Sequence, residues 1–275
     1  MAIFCAAIPV GSALGYVIGG LIGAHLGWRW AFYLVAPPGL LLGLLCFWQR
    51  DPRVAADHLV QKAPRRSLRD YLNLFRTRSY LINCIAMTLM TFVTGGLGFW
   101  APAYLRFRNQ SPDVGMTIFG LITVVAGLVS TLLGGVIADK LRSRFAGSYF
   151  WVSGIGMLIS CPFFIATLYI PFPAAWITMF VAIFFLFLNT GPSNTALANV
   201  SLPAVRATAF AANIFVIHAF GDVQAFWLLG YIGGHANMRV AFLFVSGIIL
   251  LSGVAWLIGV KYLPADTAAV ENQTR

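Results

Sequence analysis

The sequence predicts an all-α membrane protein, a bundle of eight spanning helices, and three observations predict it. Hydrophobic residues fill 60% of the 275 positions and charged residues only 9%, whereas a soluble domain carries about 25% charged residues to cover its surface. Eight apolar runs approach the roughly 20 residues that a helix needs to cross the hydrocarbon core; they lie at 3–25, 29–49, 80–103, 115–137, 148–170, 175–199, 207–232 and 239–260. The basic residues gather in alternate connections. With the 50–79 loop placed in the cytoplasm, fourteen of the 18 Lys and Arg residues fall inside, and only Arg29, Arg106, Arg108 and Arg239 fall outside. That bias orients polytopic proteins. It puts both termini in the cytoplasm, in a plasma or inner membrane, with the lipid bilayer as the first partner.

The net charge of +10 does not point to nucleic acid, because eight of the basic residues lie in one polar stretch between Arg50 and Arg78. A nucleic-acid reader spreads its basic groups over a folded face. Cys5, Cys46, Cys84 and Cys161 sit inside apolar runs without CxxC spacing, so they read as small packing residues rather than metal ligands or disulfides. No basic n-region precedes the first run, and a cleaved signal peptide is not expected.

Taken in order, the first run carries Gly11, Gly15, Gly19 and Gly23 at intervals of four, a small-residue face on which another helix can approach closely. Such a face serves either static packing or a contact that rocks between two states. The 50–79 stretch is the one long polar connection, with a short amphipathic helix expected around Leu68–Phe75; it reads either as a solvated cytoplasmic loop facing the lipid headgroups or as a regulatory or lipid-binding segment. The run 115–137 leads into Gly135, Asp139, Lys140, Arg142 and Arg144. A carboxylate at a helix C-terminus opposes the macrodipole and needs a partner. Asp139 therefore marks either an interfacial charge cluster or a gating loop.

The run 175–199 contains Asn189 and Asn194 beside Gly191-Pro192, which is expected to kink it; kinked helices near the midplane often line binding sites. Arg206 begins the next run, where a cation at a helix N-terminus also needs a partner. In that run Asn213 is a further polar candidate. His218 and Asp222 stand four apart and share a helix face, and Asp222 is the only acidic residue well inside a run. Intramembrane ionisable groups are expensive and usually face a cavity. The pair is read either as a proton or substrate pathway or as a hydrogen-bonded packing pair.

An internal repeat organises the chain. Shifted by 210 positions, 11–35 aligns with 221–245 without a gap, and nine of 25 positions agree, among them His25 with His235 and Arg29 with Arg239. Parallel repeats of this length indicate duplicated halves. The repeated span pair closes the second half and opens the chain, so the first half is expected to contribute only its last two spans here. The expected organisation is 1–49 as those two spans, 50–79 as the cytoplasmic inter-half loop, 80–262 as a six-span C-terminal half and 263–275 as a cytoplasmic tail.

Several stretches carry a family resemblance. Gly135 to Arg144 resembles the GxxxD(R/K)xGR(R/K) loop of the major facilitator superfamily, although Arg142 stands where that motif has Gly. AIPVGSALGY (7–16), FVTGGLGFWAPAYL (92–105), FGLITVVAG (119–127) and HAFGD (218–222) resemble the Spinster branch. The resemblance implies a major facilitator bundle showing eight of twelve spans. It also implies that Asp139 meets the start of a neighbouring helix, by pseudo-symmetry the first span. The implied activity is secondary transport by alternating access of a small or lipid-like solute, with proton coupling a further expectation. Relatives usually carry Pro shortly after HxxGD, where Phe226 stands here. No HExxH, GxSxG or phosphate-loop pattern occurs, and the four histidines have no metal spacing; no enzymatic reaction, metal or cofactor is expected. The alternative is a non-transporting membrane receptor or assembly subunit reusing the fold.

Overall fold

The computed structural model describes residues 26–48 and 74–274, together with Ala7, Gly11, Leu14, Gly15, Gly19 and Ile22. Regular structure among the described residues is entirely helical. The helices are α1 (Trp28–Cys46), α2 (Arg78–Phe107), α3 (Pro112–Arg142), α4 (Ser148–Tyr169), α5 (Ala175–Phe187), α6 (Thr190–Asn199) and α7 (Arg206–Ile217). A π-helical segment follows (His218–Asp222), then α8 (Val223–His235), α9 (Met238–Gly259) and α10 (Leu263–Thr274). Seven segments among the described residues are long and apolar enough to span a membrane, and they coincide with the seven runs predicted from residue 29 onward. Most of the first run and of the 50–79 loop lies outside the described residues.

The repeat is visible in the backbone. Helix α1 begins at Trp28 and α9 at Met238, so the shift of 210 that aligns the sequences also superposes the helix starts. The two copies differ in surroundings. Helix α9 packs against α2 and α4 and buries Trp256, Ile249 and Phe242. Helix α1 is exposed along almost its whole length.

Around α2 and α9, the helices from Arg78 to Gly259 form one bundle with a main core and a smaller cluster where α3 meets α2 and α5. In lipid, apolar side chains gain little by leaving the solvent, so small residues and interhelical hydrogen bonds carry more of the packing. Buried Asn83 is the main joint. Its Nδ2 donates to the Ser193 carbonyl at 3.1 Å, and its Oδ1 accepts from Trp256 Nε1 at 2.9 Å. One side chain thereby ties α2 to α6 and α9. The Tyr80 hydroxyl donates to the Ala209 carbonyl at 3.0 Å, and Ser252 to that of Ala86 at 2.8 Å.

The predicted kink in 175–199 is a break between α5 and α6 at Leu188–Asn189. Pro192 has no N–H to offer the Leu188 carbonyl one turn earlier, so that oxygen is released from the ladder. It lies against Gly134 of α3, where any Cβ would collide with it. At the other end of the bundle Arg108 closes α4. Its guanidinium donates to the carbonyls of Thr167, Leu168 and Ile170 at 2.9, 2.9 and 2.6 Å, a cation on C-terminal carbonyls that lack helical partners.

The segment expected as a polar tail is the helix α10. Leu263 is fully buried and Thr267 nearly so, so the helix is docked on the bundle.

Candidate functional site

The π-helical segment HAFGD sits halfway along the span that runs from Arg206 to His235. A π turn inserts one extra residue into the ladder and is frequent at functional sites. Here it is held by glycines on two helices. A Cβ at Gly221 would stand 2.8 Å from the Thr88 carbonyl oxygen of α2, and one at Gly95 would collide with the side chain of Asp222. The next glycine, Gly96, accommodates Leu229, and Gly230 accommodates the Trp100 ring. The run Thr94-Gly-Gly-Leu-Gly in α2 is therefore the seat of the irregular span.

Seated this way, the segment turns its two ionisable groups toward an open cavity of about 470 Å³ between α2, α3, α5 and the span of α7 and α8. His218 Nδ1 lies 2.8 Å from Asp222 Oδ2, and Asp222 Oδ1 accepts the Val223 N–H at 3.0 Å. The His218 side chain is 57% exposed and that of Asp222 21%. Thr91, Thr94 and Thr123 add hydroxyls to the wall. Thr123 donates its own proton back to the Phe119 carbonyl at 2.8 Å, which leaves its oxygen as an acceptor. Beyond this polar band the wall is aromatic. Phe99 and Phe226 lie with ring centroids 4.8 Å apart, and Trp100 Nε1 donates to the Phe226 carbonyl at 3.1 Å. The cavity thus joins a titratable, hydroxyl-lined band to an aromatic layer, an arrangement suited to a solute with one polar and one apolar end.

The predicted asparagines lie elsewhere. Asn189 is buried at the break between α5 and α6 and donates to the Leu186 carbonyl at 2.5 Å. Asn194 donates to the Thr190 carbonyl of its own helix at 2.8 Å. Asn213 is buried with Nδ2 at 3.5 Å from Met87 Sδ, and its Oδ1 has no hydrogen-bond partner among the described residues. Of the five pathway candidates, only His218 and Asp222 share the cavity.

At the end of α3, Gly135 is buried, while Asp139, Lys140 and Arg144 are exposed. Asp139 Oδ1 accepts from the Tyr149 hydroxyl at 2.9 Å, and the Ser148 hydroxyl donates to the Ala138 carbonyl at 2.9 Å. The start of α4 thus supplies the partner that the macrodipole argument requires. The start of the first span, expected to meet Asp139, lies outside the described residues. Arg142 stacks over the Tyr149 ring at 5.3 Å and reaches Glu271 at 3.8 Å. Arg206 is not brought to this cluster; it opens α7 and donates to the Ser201 carbonyl at 3.4 Å. On the first run, Gly11, Gly15 and Gly19 face open space along a groove shared with Phe32 and Val35 of α1. Gly23 lies outside the described residues.

In the sequence Gly95, Trp100 and Gly221 stand out only as members of the resemblance-bearing stretches 92–105 and 218–222, and neither they nor the threonines carry a site role there. The GG pair in α2 was the available signal, since adjacent glycines inside a span imply close approach by another helix.

Comparison with known proteins agrees with this architecture. The family model described as Major Facilitator Superfamily matches residues 1–223. Protein spinster homolog 3 of Danio rerio is 34% identical over 96% of this chain and 59% of its own length. Probable sphingolipid transporter spinster homolog 1 of Arabidopsis thaliana is 27% identical over 94% of this chain and 59% of its own length. The chain therefore spans less than two thirds of these relatives. The crystal structure of a bacterial homolog to human lysosomal transporter Spinster, inward-facing and unoccupied, superposes with a TM-score of 0.64 at 16% identity, covering 96% of this chain and 69% of that one. With its spans, its loop motif and its HAFGD segment accounted for, the chain is a multi-pass integral membrane protein that belongs to the major facilitator superfamily and is similar to the superfamily's Spinster members.

Proposed function

We propose that this chain serves secondary transport of a small or amphiphilic, lipid-like solute by alternating access, with His218 and Asp222 as its titrating pair. The observation that carries this reading is the placement of that pair on an irregular mid-span segment, open to a cavity with a polar band and an aromatic layer. A carboxylate at such depth costs about 2.5–3.5 kcal/mol on insertion scales. Shared with an imidazole at 2.8 Å, its charge can be neutralised by taking up a proton, so solute occupancy and protonation compete at one place. The names of the Spinster relatives, several of which are sphingolipid or sphingosine-1-phosphate transporters, support an amphiphile as solute.

In this reading residues 1–49 belong to one half, 50–79 to the cytoplasmic inter-half loop and 80–262 to the other half, with both termini cytoplasmic. Asp139, Lys140, Arg142 and Arg144 form the cytoplasmic gating loop. The test is uptake of a fluorescent single-chain amphiphile into proteoliposomes under an imposed pH gradient. Gradient-dependent uptake that drops at least tenfold in Asp222→Asn is expected. Uptake that ignores both the gradient and Asp222 would remove the pair from the mechanism.

A further inference from the structure

Helix α10 lies across the end of the bundle at which α2 begins and α3 finishes. Its attachments to the bundle differ in kind. Helix α2 starts without an acidic residue in its first turn and without a side-chain cap from Thr77. Its free N–H groups are served from far away in sequence, since Asp266 Oδ2 accepts the Ser79 N–H at 2.8 Å. A carboxylate at a helix N-terminus is favoured by both hydrogen bond and macrodipole. Beside it, the Arg78 guanidinium lies over the Tyr262 ring at 5.3 Å and Lys261 Nζ at 4.8 Å. Buried Leu263 completes this anchor. Near the far end of the same helix, Glu271 meets Arg142 at 3.8 Å, with the two side chains 60% and 29% exposed. An exposed pair of this length contributes at most about 1 kcal/mol and is screened by salt, so it breaks readily.

We propose that α10 is a two-point clasp on the gating end of the bundle. Asp266 fixes it permanently to the start of α2, and Glu271 holds the Arg142 end of α3 reversibly. Arg142 is also the residue that stacks on Tyr149, whose hydroxyl holds Asp139. Releasing Glu271 therefore leaves Arg142 held only within its own end of the bundle, by the Tyr149 ring and the Ala146 carbonyl at 3.3 Å, while the first turn of α2 stays capped. The C-terminal helix in this way senses and restrains the gating loop without touching the cavity. The inference rests on the proposed role of Asp139 to Arg144 as the gating loop, and it stands whether or not the His218–Asp222 pair titrates.

Amide hydrogen exchange on the full chain in lipid nanodiscs tests it, because exchange reads the two attachment points separately. Asp266→Ala is expected to raise exchange at 78–82 and along 263–274 by about tenfold. Glu271→Gln is expected to raise exchange two- to threefold at 140–145 and 268–274 and to leave 78–82 unchanged. The charge swap Arg142→Glu with Glu271→Arg should return 268–274 to the starting rate, although 140–145 also loses the Arg142–Tyr149 stack, and 0.5 M salt should reproduce the Glu271→Gln pattern. Unchanged exchange at 78–82 in Asp266→Ala overturns the anchor. A charge swap that behaves like the single substitution overturns the reversible arm. Should Asp266→Ala fail to reconstitute, Asp266→Asn carries the anchor test: it keeps an acceptor oxygen but loses the charge, and an intermediate rise at 78–82 is expected, whereas none overturns the anchor.

Discussion

At His218 and Asp222 the two readings of a mid-span polar pair separate energetically. A hydrogen-bonded packing pair can be replaced by apolar residues of similar size without loss, while removing one member leaves the other unpartnered. The geometry gives Asp222 a second partner, the Val223 N–H, so its carboxylate is oriented even when His218 turns away. His218→Leu alone is expected to lower thermal stability by at most about 1 kcal/mol, because the pair is open to the cavity, and His218→Leu with Asp222→Leu to recover most of it. Transport is expected to be abolished in both variants, and a thermal-shift series run beside the uptake assay checks it. A double variant that transports would identify a packing pair. The sequence showed this pair clearly, because a spacing of four and a lone intramembrane acid need no tertiary information. It did not separate the pair from Asn189, Asn194 and Asn213, whose roles depend on which way each helix is turned. In the structure those three amides lie away from the cavity, Asn189 and Asn194 bonded to carbonyls of neighbouring turns.

The irregular span and the glycine seat in α2 form one element. The π turn was not legible in the sequence, since a single inserted residue hardly disturbs an apolar pattern that is hydrophobic on most sides. Its necessity is tertiary: Gly221 meets the backbone of α2, and Gly95 leaves room for Asp222. Gly95→Ala is therefore expected to displace Asp222 and cost about 1–3 kcal/mol by overpacking, with gradient-driven uptake reduced more than protein yield; a melting curve and flux on the same preparation measure both. Asn83 makes a contrasting prediction. Asn83→Ala removes both interhelical hydrogen bonds and leaves Trp256 Nε1 and the Ser193 carbonyl without their partner. A loss of about 1–2 kcal/mol is expected, read as a lower melting temperature in detergent, with little change in the protonation dependence of uptake. The break between α5 and α6 was legible in kind, because proline releases a carbonyl one turn upstream. Its exact position depended on Gly134 receiving that carbonyl. The docking of the segment expected as a cytoplasmic tail was not legible: α10 docks through Leu263 and Asp266, two residues that no hydropathy pattern distinguishes.

For the whole molecule, the repeat carries the most information. The shift of 210 aligns nine residues and also the starts of α1 and α9, as the proposed duplicated halves require. The seven described spans and their approximate boundaries were legible because bilayer thickness and backbone hydrogen bonding leave few solutions, and the superfamily was legible from the loop motif and the HAFGD stretch. The cavity was not, because its walls come from α2, α3, α5 and the span of α7 and α8, which only the fold brings together. If the carrier alternates, a residue in the polar band must meet water from the two sides in turn. The direct measurement places one cysteine at Thr94 in a background with the native cysteines replaced by alanine. Labelling by a membrane-impermeant thiol reagent is then followed from each face in oriented vesicles, at acid and neutral pH and with amphiphile present. The account predicts that the reactive face changes with these conditions and that Asp222→Asn fixes it on one side. Labelling from a single face under every condition would contradict the account.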